Sequence, residues 1–257
     1  MKRALFALAL MALPAQAATT EDIFALYAKG DYAQAEKVGE AAHTAAGYAI
    51  AARAVLADEV LRDQPCLECL QRAEKLARAA VAADPHHAFG QIWLAVSLGY
   101  QGRITGIMKA RMANTPAQSK AALDQAVADE PKNPFAVSAL GGWNIEVVRG
   151  GGAFLARHLY GATEDEALRL FDRAVKLDPD NTAVHFQIAL ALLGYDAEKY
   201  HARIQSELRA AIASHPDTAY EKRIQDRAND LLGLANRGPD EALVARVRKY
   251  QGYPNPE

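Results

Sequence analysis

Phe171-Asp172-Arg173-Ala174-Val175-Lys176-Leu177-Asp178-Pro179 is the stretch on which the reading of the fold turns. Phe171, Ala174 and Val175 are three and four residues apart, so they share one face of a helix. A bulky residue followed by alanine on that face makes a stripe that another helix can approach closely. Pro179 then ends the helix, because it has no N–H to donate and its ring clashes with the preceding turn. The pattern recurs at Ala77-Ala80-Val81-Pro85, Leu123-Ala126-Val127-Pro131 and Leu208-Ala211-Ile212-Pro216. After each proline come one or two polar residues and then a new apolar helical run, as from His87 to Tyr100, Asn133 to Val148 and Asn181 to Leu193. The repeating unit is therefore helix, proline-marked turn, helix.

Composition agrees. Of 257 residues, 51% are apolar and only 7% aromatic, the apolar share being carried largely by alanine, the best helix former. Alternation with a period of two is nearly absent, which argues against a sheet. The chain carries 29 basic and 31 acidic residues, a net charge of -2. There is no basic run, so no footprint for nucleic acid. The order at the start is Met1-Lys2-Arg3, an apolar run from Ala4 to Leu13, Pro14, and then Ala15-Gln16-Ala17. It predicts a signal peptide over residues 1–17 with cleavage before Ala18, and hence a periplasmic or secreted protein. No cysteine stands immediately after the cleavage point, so a lipoprotein anchor is not expected, and no later run is long and apolar enough to cross a bilayer.

On the residues quoted above the chain resembles the tetratricopeptide (TPR) family, in which a large residue is followed by alanine three later and proline five after that. Leu123, Ala126 and Pro131 fit, as do Phe171, Ala174 and Pro179, and Leu208, Ala211 and Pro216. Tyr27, Gly30, Tyr32 and Ala35 resemble the family's turn between paired helices. The four prolines are 46, 48 and 37 residues apart, against about 34 in a regular array. Insertions are therefore expected at Gly102 to Pro116 and Arg149 to Thr163. The resemblance implies an all-α fold of helical hairpin repeats, either a compact bundle or a short solenoid. That domain spans residues 18–237, followed over 238–257 by a capping helix around Leu243 to Val247 and a ragged tail from Gly252. A narrower likeness covers about Gln91 to Val148: Trp93, Lys120, Pro131 with Pro134, Leu140-Gly141-Gly142-Trp143, and Glu146. On these residues the chain is similar to the TPR-like family of regulators of microtubule dynamics and to the T-components of TRAP transporters; for an exported protein this implies only the fold.

Few residues point to chemistry. Cys66-Leu67-Glu68-Cys69 could be a local disulfide, a redox pair or half of a metal site. With no strand before it and no further cysteine, a structural disulfide is the expected state in an oxidising compartment. His86 and His87 are adjacent and so point apart, which is poor ligand geometry; the other histidines lack ligand spacing, and no metal or cofactor is expected. Trp93, Phe135, Phe171 and Phe186 read as core anchors. Trp143, Glu146 and Arg149 share a helical face, with Glu146 and Arg149 as a structural ion pair. Gly150-Gly151-Gly152, followed by Phe154, reads as a long loop that could cover a groove. No nucleophile elbow, dinucleotide fingerprint or zinc motif is present, so a non-enzymatic role is expected. Two roles fit: a scaffold or adaptor whose concave face binds a protein or peptide, and a periplasmic binder of a small hydrophobic ligand associated with a transport system.

Overall fold

The computed structural model describes residues 18–62 and 66–254. The expected signal peptide, residues 1–17, lies outside the described residues, as do the last three residues of the tail. Within them the elements are α1 (Thr20–Lys29), α2 (Tyr32–Ala41), α3 (Ala45–Leu61), α4 (Leu67–Ala83), α5 (Ala88–Thr105), α6 (Ile107–Met112), α7 (Thr115–Asp129), α8 (Pro134–Tyr160), α9 (Glu164–Leu177), α10 (Thr182–Asp196), α11 (His201–Ala213), α12 (Ala219–Ala235) and α13 (Glu241–Tyr250). No strand occurs among the described residues, and the fold is all-α as expected.

The four proline patterns end α4, α7, α9 and α11, and the residue two beyond each proline caps the next helix. The His87 ring nitrogen accepts from the Gly90 amide at 3.1 Å, Asn133 from Ala136 at 3.2 Å, Asn181 from Val184 at 3.0 Å and Thr218 from Glu221 at 3.2 Å. Each cap satisfies a backbone N–H that the helix start would leave bare. Stopping one helix and starting the next after only four or five residues folds them into antiparallel hairpins.

The helices sort into two layers. The patterned helices α4, α7, α9 and α11, with α2, lie outside. Inside, α1 packs on α3, α3 on α5, α5 on α8, α8 on α10, α10 on α12, and α12 back on α1. The hairpins thus close into a ring. At the closure a Cβ on Gly30, which caps the end of α1, would stand 3.0 Å from Ala219 Cβ of α12, and Tyr220 packs with Tyr27. The inner helices α3, α5 and α10 have apolar residues on all sides, as a helix between an outer layer and an apolar interior should. Alanines at 0% exposure, including Ala51, Ala52, Ala77, Ala80, Ala126, Ala174 and Ala211, let the layers approach. The closest approach of α8 to α9 needs glycine: a Cβ on Gly141 would lie 2.7 Å from the Phe171 ring.

Two segments differ from the sequence reading. The Gly150-Gly151-Gly152 stretch is not a long loop. Helix α8 runs through Gly150 and Gly151, leaves helical geometry at Gly152 alone (φ 75, ψ 154), and resumes to Tyr160. A single residue with positive φ, which glycine adopts freely, suffices to bend the helix, and Ala153 to Tyr160 are good enough helix formers to continue it. The tail is not ragged at Tyr253, whose hydroxyl donates to Glu146 Oε1 at 2.7 Å.

Cys66 and Cys69 form a disulfide, with Cα atoms 5.2 Å apart. It closes a loop of only a few residues, so the Cys66→Ser/Cys69→Ser variant should lose no more than about 2 kcal/mol of unfolding free energy. Denaturant titration of the oxidised protein and the variant measures this difference.

Candidate functional site

Ring closure leaves a cavity of about 590 Å³ at the centre of the inner layer, bordered chiefly by α3, α5, α8 and α10. Leu56, Ile92, Val96, Val147, Val184 and Leu190 are among its apolar walls. Gly99 and Gly142 also face it; a Cβ at either would meet no heavy atom within 4 Å. The volume lies in the range typical of small-molecule sites.

The charged groups on the wall are Arg53, Arg103, Arg111, Arg149 and Glu146, four cations against one anion. Arg53 projects from α3 into a ring of aromatic side chains, its guanidinium carbon 4.3 Å from the Tyr27 centroid, 5.5 Å from Trp93, 5.6 Å from Phe24 and 5.8 Å from Phe135. Cation–π attraction holds such a group, but no carboxylate lies within ion-pair distance of it among the described residues. Across the cavity, Glu146 is held by Arg149 at 2.7 Å and Arg103 at 3.3 Å. Burial alone would raise the Glu146 pKa, but the two guanidinium groups outweigh it and hold the carboxyl below its usual range. Glu146 therefore stays ionised and neutralises one of the two arginines. The tail closes this end: Arg103 donates to the Gln251 carbonyl at 2.9 Å, Gln251 Nε2 donates to the Leu190 carbonyl at 3.0 Å, and Arg149 donates to the Tyr253 hydroxyl.

Around another part of the wall, α6 and the second half of α8 meet. A Cβ on Gly150 would lie 3.0 Å from Ile107 Cδ1. Ile107, Leu155 and Leu159 line the cavity yet are 46%, 42% and 54% exposed. Their neighbours Met108, Met112 and Phe154 are more exposed still. This is the cavity's rim.

The structure gathers Trp143, Glu146, Arg149, Gly150 and Gly151 on the cavity wall. Trp143 is buried and donates from Nε1 to the Pro116 carbonyl at 3.0 Å. Gly152 makes the kink, and Phe154 packs against His158 at the surface, the rings tilted by 32° with centroids 4.1 Å apart. Cys66 and Cys69 stand apart, at the start of α4. His87 serves as a cap, and His86 pairs with Asp129 at 2.9 Å. Arg53, Arg103, Gln251 and Tyr253 were not singled out by the sequence reading. Their partners lie far away along the chain, and no local spacing marks them.

The family model described as regulator of microtubule dynamics protein 1-3 matches residues 19–235, nearly the whole helical ring. The chain belongs to this family. No curated protein matches it individually. The family match ends where α12 ends, so α13 and the tail that seals the cavity of this regulator-of-microtubule-dynamics relative lie beyond the matched span.

Proposed function

We propose that the protein is an exported carrier that holds one small, largely apolar ligand with an acidic end inside the ring of inner helices. The observation that carries this reading is the cavity of about 590 Å³ with apolar walls and, set in it, an arginine, Arg53, with no carboxylate partner among the described residues. An apolar cavity of this size favours an apolar guest because burying its surface releases about 25 cal/mol per Å². A guanidinium in that setting favours a carboxylate or similar anion, whose charge it balances with directed hydrogen bonds. The adaptor role expected for an open concave face is less well supported, because contact of α1 with α12 leaves the inner face closed on itself. We read the hairpins as a degenerate TPR array and the leader at residues 1–17 as the export signal. The microtubule role in the family's name stays with the proteins it was given for.

The test is to purify the mature protein from an envelope extract, analyse it by native mass spectrometry, and extract any bound molecule. A fluorescent long-chain acid then serves as probe, with its methyl ester for comparison. Bound probe, displaced by unlabelled acid, is the expected result; a protein that carries nothing and takes up neither probe overturns the proposal. Arg53→Met should lower affinity for the acid about tenfold or more, the worth of one hydrogen-bonded charge, and leave the ester nearly unaffected. Equal losses for both would mean that Arg53 only shapes the wall.

A further inference from the structure

We infer that the Cys66–Cys69 bond is a working disulfide that takes two electrons from a dithiol substrate, with Glu59 delivering the proton to the departing Cys69 sulfur. This site is separate from the cavity and does not depend on what the cavity binds.

Three observations meet at the start of α4. Cys66 is the N-cap of this 17-residue helix, and the Cys69 amide donates to its Sγ at 3.1 Å. After reduction the same amide and the positive end of the helix favour Cys66 as a thiolate. Both cysteines are partly exposed, so a substrate thiolate can reach them. Beside them lies Glu59, whose side chain is only 3% exposed. One of its oxygens accepts from the Cys66 backbone N–H; the other, Oε2, is buried without a hydrogen bond, its nearest charge being Arg62 Nε at 3.6 Å. A Glu59 oxygen and the two sulfurs all lie within 4.8 Å of one another. A local cross-link between residues three apart has no structural need of a buried carboxyl. A buried carboxyl there, with one oxygen making no hydrogen bond, is costly to keep.

Burial raises the Glu59 pKa; the Cys66 N–H bond and Arg62 work against that rise, and Asp58 adds to it. Among the described residues, the ionisable groups around Glu59 are Asp58 on α3, Arg62 just after it, Tyr100 on α5 and Lys249 on α13, the last three lining the same small cleft as Glu59. Glu68, in the first turn of α4, is exposed. A raised pKa lets the carboxyl hold a proton that a neighbouring sulfur can accept.

A substrate thiolate attacks Cys66 Sγ; the Cys66–Cys69 bond breaks, and Cys69 leaves with the electron pair and takes the Glu59 proton. The substrate's second thiolate attacks its own sulfur in the mixed disulfide, and Cys66 leaves as a thiolate. The substrate ends as a disulfide, oxidised by two electrons, and the protein as a dithiol. Glu59 regains a proton from the substrate's second thiol as that thiol ionises. A small disulfide such as oxidised glutathione restores the starting state by the reverse exchange. Because the reduced form is favoured by the Cys66 thiolate, the couple is an oxidising one.

The experiment uses the intact oxidised protein. It is equilibrated in glutathione buffers of stepped reduced-to-oxidised ratio, and thiols are counted by mass-tagging. The reduced protein is then titrated by thiolate absorbance. Half-reduction within the glutathione range, and a Cys66 thiolate at least about one pH unit below the ordinary value of about 8.5, are expected. A bond that stays closed at every ratio, or a Cys66 that titrates normally, overturns the proposal. Glu59→Gln should slow oxidation of dithiothreitol at least about tenfold while leaving the Cys66 titration in place; an unchanged rate removes Glu59 from the mechanism. If that variant loses helicity, the wild-type rate decides instead: it must fall as pH rises through the ionisation of Glu59, once corrected for the substrate thiolate fraction.

Discussion

Leucine at both Gly99 and Gly142 should abolish ligand binding and leave the protein as stable as before or more so. Both glycines sit inside helices, α5 and α8, and both face the cavity, where a Cβ meets nothing within 4 Å. Replacing a mid-helix glycine with a good helix former relieves about 0.5–1 kcal/mol per site, since glycine has more backbone freedom to lose. The two new side chains then occupy space that the ligand needs. A guest overlapping several carbons must either displace packed atoms or be excluded, so affinity for a fluorescent long-chain acid should fall at least about a hundredfold. The midpoint of thermal unfolding should hold or rise by a few degrees, about 2–4 °C for each kcal/mol in a chain of this size. Circular dichroism and a binding titration on one sample decide the matter. Unchanged affinity with an intact fold would place the ligand elsewhere.

What the sequence revealed, and what it hid, follows from the range of the interactions involved. The hairpins were legible because each is specified within about ten residues: a stripe such as Phe171 and Ala174, a stop at Pro179, and a cap at Asn181. The cap two residues beyond every proline is an equally local signal, and it makes the turn more regular than the proline spacing suggests. The Glu146–Arg149 pair, three residues apart on α8, was legible for the same reason. Closure of the ring was not, because it depends on how small angles between successive hairpins accumulate until Gly30 reaches Ala219. Everything that makes the cavity a site depends on that closure. Arg53 needs Trp93 and Phe135 from other hairpins, and Arg103 needs the carbonyl of Gln251. The triple glycine misled in the other direction. Three adjacent residues with high backbone freedom suggest a loop, yet only Gly152 uses that freedom, while the strong helix formers on both sides impose their geometry on Gly150 and Gly151.

Stability should fall as pH rises above about 6.5, the unperturbed histidine value, and the cause should be His185. This residue is 3% exposed in α10, whose other face, at Val184, Gln187, Leu190 and Ala191, forms cavity wall. Both ring nitrogens of His185 face acceptors: Nδ1 is 2.5 Å from Glu207 Oε2, and Nε2 is 2.9 Å from the Pro179 carbonyl. A neutral ring has one N–H and can serve only one of them, whereas the imidazolium serves both. Burial pulls the His185 pKa down, but the hydrogen bonds to Glu207 and Pro179 outweigh it, and the folded value is raised. A raised folded pKa gives stability that is complete below the unfolded value and is lost as pH rises through the folded one. The denaturant midpoint should therefore be highest on the acid side of neutrality, until other carboxylates begin to protonate, and should decline on the alkaline side. His185→Leu should remove most of that slope and cost about 3 kcal/mol, because it leaves a buried carboxylate and a buried carbonyl short of a donor. The cost stays near the lower end for a broken buried pair because Arg203 still holds Glu207 at 2.7 Å and reaches Asp172 at 2.6 Å. A wild-type midpoint that is level from pH 6 to 9 would show that the ring is neutral throughout and would remove the argument. If the slope is present, His185 couples pH to the wall of the cavity as well as to the fold, since α10 packs on α11 through this pair and borders the ligand space with its opposite face. Ligand release should then steepen over the same pH interval, in step with the loss of stability.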